Sequence, residues 1–202
     1  MPGDHYFSAR PGGELRPKTI RVPLAGREVE VVTAAGVFSP DRLDAGTAVL
    51  LDAVPAPPPG GQLLDLGCGW GPIALTLGLE SPHATVWAVD VNDRSLELTR
   101  GNAERLGLRN LNAVPPADVP GDLEFAAIWS NPPIRVGKPE LHAMLRAWLP
   151  RLAPGADAWL VVQKHLGADS LQRWLESELP THATVRVHSA KGYRVLRVRR
   201  RA

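Results

Sequence analysis

A doubly wound α/β sheet is the fold that this chain of 202 residues predicts, and three observations predict it. Beyond residue 61, strand-like apolar runs alternate with segments of helical period, the pattern of a mostly parallel sheet covered on both faces. A glycine-rich turn, Asp65-Leu66-Gly67-Cys68-Gly69-Trp70-Gly71, joins the first of those strands to the first helix. The last two strand-like runs are separated by only four residues, too few for a parallel crossover, so the sheet ends in a reversed strand.

Residues 1–18 mix Pro, Gly and charge without a period and read as irregular, although His5, Tyr6 and Phe7 form an aromatic cluster. Two β-rich runs, 19–24 and 28–33, flank Ala25-Gly26-Arg27 and read as a hairpin. Gly36-Val37-Phe38-Ser39 leads into a loop, and 43–54 has helical spacing with Asp41 and Asp44 near its start. The run Pro55-Ala56-Pro57-Pro58-Pro59-Gly60-Gly61 stops that helix. It divides an N-terminal extension, 1–54, from a main domain, 55–202, on which the extension packs as part of one structural unit.

The main domain then reads strand 62–66, helix 72–80 with Pro72 in its first turn, strand 84–90, helix 93–106, and strands 110–114 and 124–130. Helix 139–149, strand 157–163, helix 168–178 and strands 182–188 and 193–199 complete seven strands. No internal repeat interrupts the series.

Composition bounds the chemistry. Net charge is only +2, but residues 191–202 carry six Lys or Arg and no acid, and residues 1–27 carry five against two, which leaves −7 on residues 28–190. Basic ends on an acidic body suit a phosphate-rich partner. The single cysteine, Cys68, has no internal disulfide partner, and with it no Cys-based metal cluster is expected. The histidines show no metal-ligand spacing, and most of the six tryptophans are expected in the core. No apolar run reaches the roughly 20 residues of a membrane span, and the first residues lack a secretory pattern, so the expected location is cytoplasmic.

Three features carry chemistry. The glycines at 67, 69 and 71 permit a tight turn and close approach of a ligand, and the following helix start is expected to present free N–H groups. Asp90 ends the second strand 23 residues after Gly67, near the spacing at which a carboxylate holds a ribose, although it could instead cap the next helix beside Asn92 and Asp93. The third glycine comes four residues after the first, one fewer than in the dinucleotide fingerprint, which counts against a nicotinamide cofactor. Lastly, Ser130-Asn131-Pro132-Pro133-Ile134 follows an apolar strand at the carboxyl edge of the sheet, where ligands collect. Its prolines lack N–H groups, so the loop offers carbonyl oxygens and the Asn131 side-chain oxygen to an exocyclic amine.

With these residues in view, the chain resembles the small-domain class of class I S-adenosylmethionine-dependent methyltransferases, in particular ribosomal RNA guanine-N2 methyltransferases. The likeness runs nearly end to end, through His5-Tyr6-Phe7-Ser8, Gly36-Val37-Phe38-Ser39, the loop 65–73, 131–138 and Lys191-Gly192-Tyr193-Arg194-Val195-Leu196. It implies a Rossmann-like sheet and S-adenosyl-L-methionine as cofactor. The loop residues Asp65, Gly67, Cys68, Gly69 and Gly71 would hold its methionine part, Asp90 with Val91 its ribose, and Asp118 its adenine amine.

Asn131, Pro132, Pro133 and Ile134 would form the catalytic corner, with Asn131 also next to the cofactor. Two departures stand out: one domain where bacterial guanine-N2 enzymes usually have two, and Ile134 where an aromatic residue usually stacks on the base. Tyr6 or Phe7 could supply that stack, and Arg135, Lys138, Lys191 and Arg194 are the expected RNA contacts. No metal is needed, because catalysis is mainly positioning of an extruded base. Methylation of a protein glutamine, and a cofactor-retaining RNA-binding assembly factor without turnover, are the alternatives. The sequence leaves the target nucleotide and the oligomeric state open.

Overall fold

The computed structural model describes residues 16–202. An antiparallel hairpin comes first, β1 (Pro17–Leu24) and β2 (Arg27–Ala34), followed by α1 (Ala45–Ala53). The main sheet is built from β3 (Gly60–Leu66), β4 (His83–Val89), β5 (Leu111–Val114), β6 (Phe125–Ser130), β7 (Leu152–Gln163), β8 (His182–Ala190) and β9 (Tyr193–Arg200). Helices α2 (Pro72–Glu80), α3 (Asp93–Arg105), α4 (Lys138–Trp148) and α5 (Ala168–Glu178) connect them.

The strand order is β5-β4-β3-β6-β7-β9-β8, with β3 through β7 parallel and β9 antiparallel to both neighbours. The reversed strand is therefore last in the chain but second from the edge of the sheet. Because the chain runs outward from β3 in one direction and returns at β6 in the other, the carboxyl ends of β3 and β6 lie side by side at a topological switch point. Ser130 Oγ donates to the carbonyl of Leu66 at 2.6 Å and ties the two ends together.

Apolar side chains on the sheet feed two cores. Leu64, Leu66, Ile128, Leu160 and Leu196 pack with α4 and α5 on one face, while Leu63, Ala127, Trp129, Val161 and Val195 pack with α1 and α2 on the other. Each strand thus alternates, with both faces apolar, as a sheet covered on two sides requires. The hairpin buries Ile20, Val22, Leu24 and Val31 against Trp70, Leu75 and Leu98, so it is stitched to the first two crossover helices. Trp70, Trp129, Trp148 and Trp159 are all buried, as the sequence leads one to expect.

β7 begins at Leu152, five residues earlier than the sequence predicts, although Pro154 and Gly155 read as breakers. A register shift opposite Phe125–Ala127 absorbs them, and Gly155 takes φ +78. Among the described residues no helix is long and apolar enough to cross a membrane, and no cluster of metal-ligating side chains occurs.

Candidate functional site

The loop after β3 takes its shape from glycines with positive φ, +83 at Gly67, +58 at Gly69 and +97 at Gly71. A side chain at Gly71 would place its Cβ 2.9 Å from Thr99 Oγ1, so both conformation and space demand glycine there. The loop's own amides are taken up within the turn. Gly67 and Cys68 donate to the Val89 carbonyl, Gly69 to Asp90 Oδ2 at 2.9 Å, and Gly71 to the Cys68 carbonyl. The turn is closed by its own hydrogen bonds, and what it offers a ligand is space: a Cβ at Gly69 would meet nothing within 4 Å.

Asp65 and Cys68 are both buried at this loop. Cys68 is buried, with Sγ 3.6 Å from Thr99 Oγ1. Asp65 is wholly buried; its Oδ2 accepts from the Ala74 amide at 2.9 Å and anchors the first turn of α2. Its Oδ1 is buried with no partner among the described residues. Burial raises the Asp65 carboxyl to about 8, against the pull of the Ala74 bond, with the Asp90 charge adding to the rise.

Asp90, at the end of β4, accepts from Gly69 N through one oxygen and from Asn92 N, at 2.9 Å, through the other. Burial raises its pKa, while those bonds and one from Val91 oppose the rise. Asp90 is not the cap of α3: Asn92 is, its Oδ1 accepting from Arg94 N at 2.9 Å and Ser95 N at 3.3 Å. Val91 stands 51 % exposed beside the loop, and Asp118 is exposed in a 3-10 turn after β5. Both lie at the same carboxyl edge.

A second wall was not foreseen from the sequence. The segment 35–42 folds over the glycine loop, where the Gly36 carbonyl accepts from Asn92 Nδ2 and the Ser39 carbonyl from Trp70 Nε1. Arg94 reaches the Ala35 carbonyl at 2.7 Å. Phe38 stands 39 % exposed on this segment.

The corner after β6 is held from elsewhere. Asn131 Nδ2 donates to Asp44 Oδ2 at 2.9 Å and to Thr47 Oγ1 at 3.0 Å, so the amide is oriented by the N-cap and first turn of α1. Asp44 Oδ2 also accepts from the amides of Gly46 and Thr47. With its nitrogen so used, Asn131 keeps its oxygen as an acceptor to which nothing donates among the described residues.

Pro132 is buried, and the main-chain oxygens of Pro132 and Pro133 each accept one bond, from Ile134 and Val136, in a 3-10 turn. Each carbonyl keeps its second lone pair, and the two prolines add no N–H donor of their own. Ile134 packs against the core formed by α4 and α5.

The remaining candidates divide. Arg135 and Lys138 are exposed beside the corner, and Lys191, with φ +50, sits in the β8–β9 turn at the same edge, where the Gly192 carbonyl accepts from Lys164 N. Arg194 is not presented outward: it faces α5 and pairs with Asp169, its side chain only 12 % exposed. Alternation on β9 explains this, because Arg194 shares the face of the buried Leu196 while Tyr193 shares that of Val195. Tyr6 and Phe7 lie outside the described residues. Sequence reasoning named Asp44 as a helix-start residue but missed its bond to Asn131, and it missed Thr47 altogether.

A family model described as methyltransferase small domain matches residues 28–197. The uncharacterized protein YbxB of Bacillus subtilis is 34% identical over 98% of this chain and 98% of its own length. Ribosomal RNA small subunit methyltransferase C of Pseudomonas aeruginosa is 35% identical over 72% of this chain but only 48% of its own, so the chain spans about half the length of that relative. Among solved structures, a T. thermophilus 16S rRNA N2 methyltransferase in complex with AdoMet and guanosine superposes with TM-score 0.80 at 26% identity, covering 94% of this chain and 52% of that one.

Proposed function

The chain belongs to the methyltransferase small-domain family, and on that premise we propose that it is an S-adenosylmethionine-dependent N-methyltransferase whose substrate is the exocyclic amine of a nucleobase, guanine N2 of ribosomal RNA. The observation that carries the reading is the Asn131 amide, fixed through its nitrogen by Asp44 and Thr47 at the switch point with its oxygen left as an acceptor.

The residues fit the cofactor. Asp65 Oδ1, buried and without a partner among the described residues, is completed by an ammonium group such as that of the methionine part. The open space at Gly69 admits a ligand against the main chain. Asp90, with three main-chain amides on its two oxygens, keeps one acceptor site for a ribose hydroxyl, and Val91, Phe38 and Asp118 border the adenine end. When bound, S-adenosylmethionine supplies an electrophilic methyl group on sulfur.

The chain's own contribution is positioning. Asn131 Oδ1 and the free lone pair of the Pro132 carbonyl accept the two N–H bonds of the amine, which turns the nitrogen lone pair toward the methyl donor. Transfer would form the C–N bond as the methyl–sulfur bond breaks and S-adenosylhomocysteine leaves with the electron pair; the nitrogen, then positively charged and strongly acidic, would lose its surplus proton to water with no dedicated base. Arg135, Lys138 and Lys191 face the phosphates of an RNA from the same edge.

Ribosomal RNA small subunit methyltransferase C and the T. thermophilus 16S rRNA enzyme support ribosomal RNA as the substrate. Asn131→Ala tests the reading: S-adenosylhomocysteine affinity stays within about twofold while tritiated-methyl transfer to ribosomal RNA falls by on the order of 100-fold or more. Unchanged transfer would remove Asn131 from its role.

A further inference from the structure

The capping carboxylate of α1 has more to do than its helix requires. Asp44 Oδ2 gathers three donors, the amides of Gly46 and Thr47 and the Asn131 amide nitrogen. Asp44 Oδ1 receives none among the described residues, and the side chain is only partly buried. Asn131 Oδ1 is likewise open. Two side chains locked 2.9 Å apart at the carboxyl edge therefore each keep one acceptor oxygen that no described residue satisfies.

The lip beside them is also formed. The Tyr193 ring packs so closely on Gly46 that a Cβ there would lie 2.7 Å from the ring. Burial raises the Tyr193 hydroxyl pKa, the Asp44 charge raises it further and Arg135 opposes, so tyrosine, carboxylate and guanidinium share one neighbourhood.

Two adjacent acceptors discriminate among planar amines. Guanine carries N1–H and the N2 amine side by side, two donors on one edge. Adenine, cytosine and the amide of glutamine each place an acceptor next to the amine. That acceptor would meet the Asp44 carboxylate, a repulsion that also leaves a charged oxygen without a partner.

We propose that Asp44 is the specificity-determining residue of the site, accepting N1–H of guanine while Asn131 accepts the neighbouring N2 amine. The inference rests on the nucleobase reading above and names the residue that selects the base. Asp44 selects; Asn131 presents the reacting atom.

The test uses the full chain saturated with S-adenosylhomocysteine and titrated with guanosine and with 2-aminopurine riboside, which keeps the amine but has an acceptor at position 1. The wild-type protein is expected to favour guanosine by about 10- to 100-fold. Asp44→Asn keeps a good helix cap, since Asn caps as well as Asp, but replaces one acceptor with a donor. It narrows or reverses the preference and leaves S-adenosylhomocysteine affinity within about twofold.

Thr47→Val, which removes only the second bond to Asn131, weakens both nucleosides equally and leaves the ratio intact. A ratio unmoved by Asp44→Asn would overturn the inference and leave the methyltransferase reading standing. So would a loss of S-adenosylhomocysteine affinity in Asp44→Asn, because it would assign the carboxylate to the cofactor. Binding of neither nucleoside to the wild-type protein would overturn the nucleobase reading itself.

Discussion

The two loops that meet at the switch point are built in opposite ways. The glycine loop after β3 is self-contained: its amides close on Val89, Asp90 and Cys68, all in its own or the adjacent strand and loop. The corner after β6 borrows its order, because Asn131 is oriented by Asp44 and Thr47, 87 and 84 residues earlier in the chain. A loop that must accept a cofactor is made rigid locally. Asn131, which on the proposed reading presents the reacting atom, is oriented from a separate helix, so a change there is expected to leave the cofactor undisturbed.

That contrast can be broken at several strengths. Gly71→Ala imposes a side chain at φ +97 against Thr99 and is expected to cost about 2–4 kcal/mol of unfolding free energy, measured by denaturant titration, together with cofactor affinity. An equal loss of affinity from a change in the Asn131 corner would dissolve the distinction.

Asp65→Asn probes the buried carboxyl under the first loop. The Asp65 pKa lies near 8 in the folded protein against 3.8 unexposed to the fold, so the folded state holds the proton more tightly and stability falls as pH rises between those values. The variant is expected to melt higher than wild type by several degrees at pH 8 and at the same temperature below pH 4, as thermal scans would read. Cofactor binding runs the other way: an ammonium favours the ionised form, so wild-type S-adenosylhomocysteine affinity increases from pH 6 to pH 7.5, and Asp65→Asn flattens that rise.

Thr47→Val removes one of the two bonds that hold Asn131 and is expected to lower kcat about tenfold, worth roughly 1.4 kcal/mol, with no change in S-adenosylhomocysteine affinity by calorimetry. The smallest effect belongs to the hairpin, remote from both loops: Arg21→Ala breaks an exposed pair with Glu30 and shifts stability by less than about 1 kcal/mol, with unchanged kcat.

The same contrast explains what could be read in the sequence. The glycine loop was legible because its determinants lie within seven residues, and Asp90 because strand length fixes where β4 ends. Helices 72–80 and 168–178 follow from their period and from the proline and glycine at their starts. The bond from Asp44 to Asn131 left no trace, since a helix cap looks the same whether or not a distant amide shares its carboxylate. Arg194 misled for a related reason: a basic tail reads as one patch, while strand alternation sends one of its members inward to Asp169. The early start of β7 was hidden by Pro154 and Gly155, which the register shift absorbs.

The most direct measurement is nucleoside mass spectrometry of ribosomal RNA taken from a strain lacking this gene, before and after incubation with the protein and S-adenosylmethionine. The account predicts the appearance of N2-methylguanosine, and its absence from RNA treated with Asn131→Ala. Incubation that yields no new methylated nucleoside, or one methylated elsewhere than on an exocyclic amine, would contradict it.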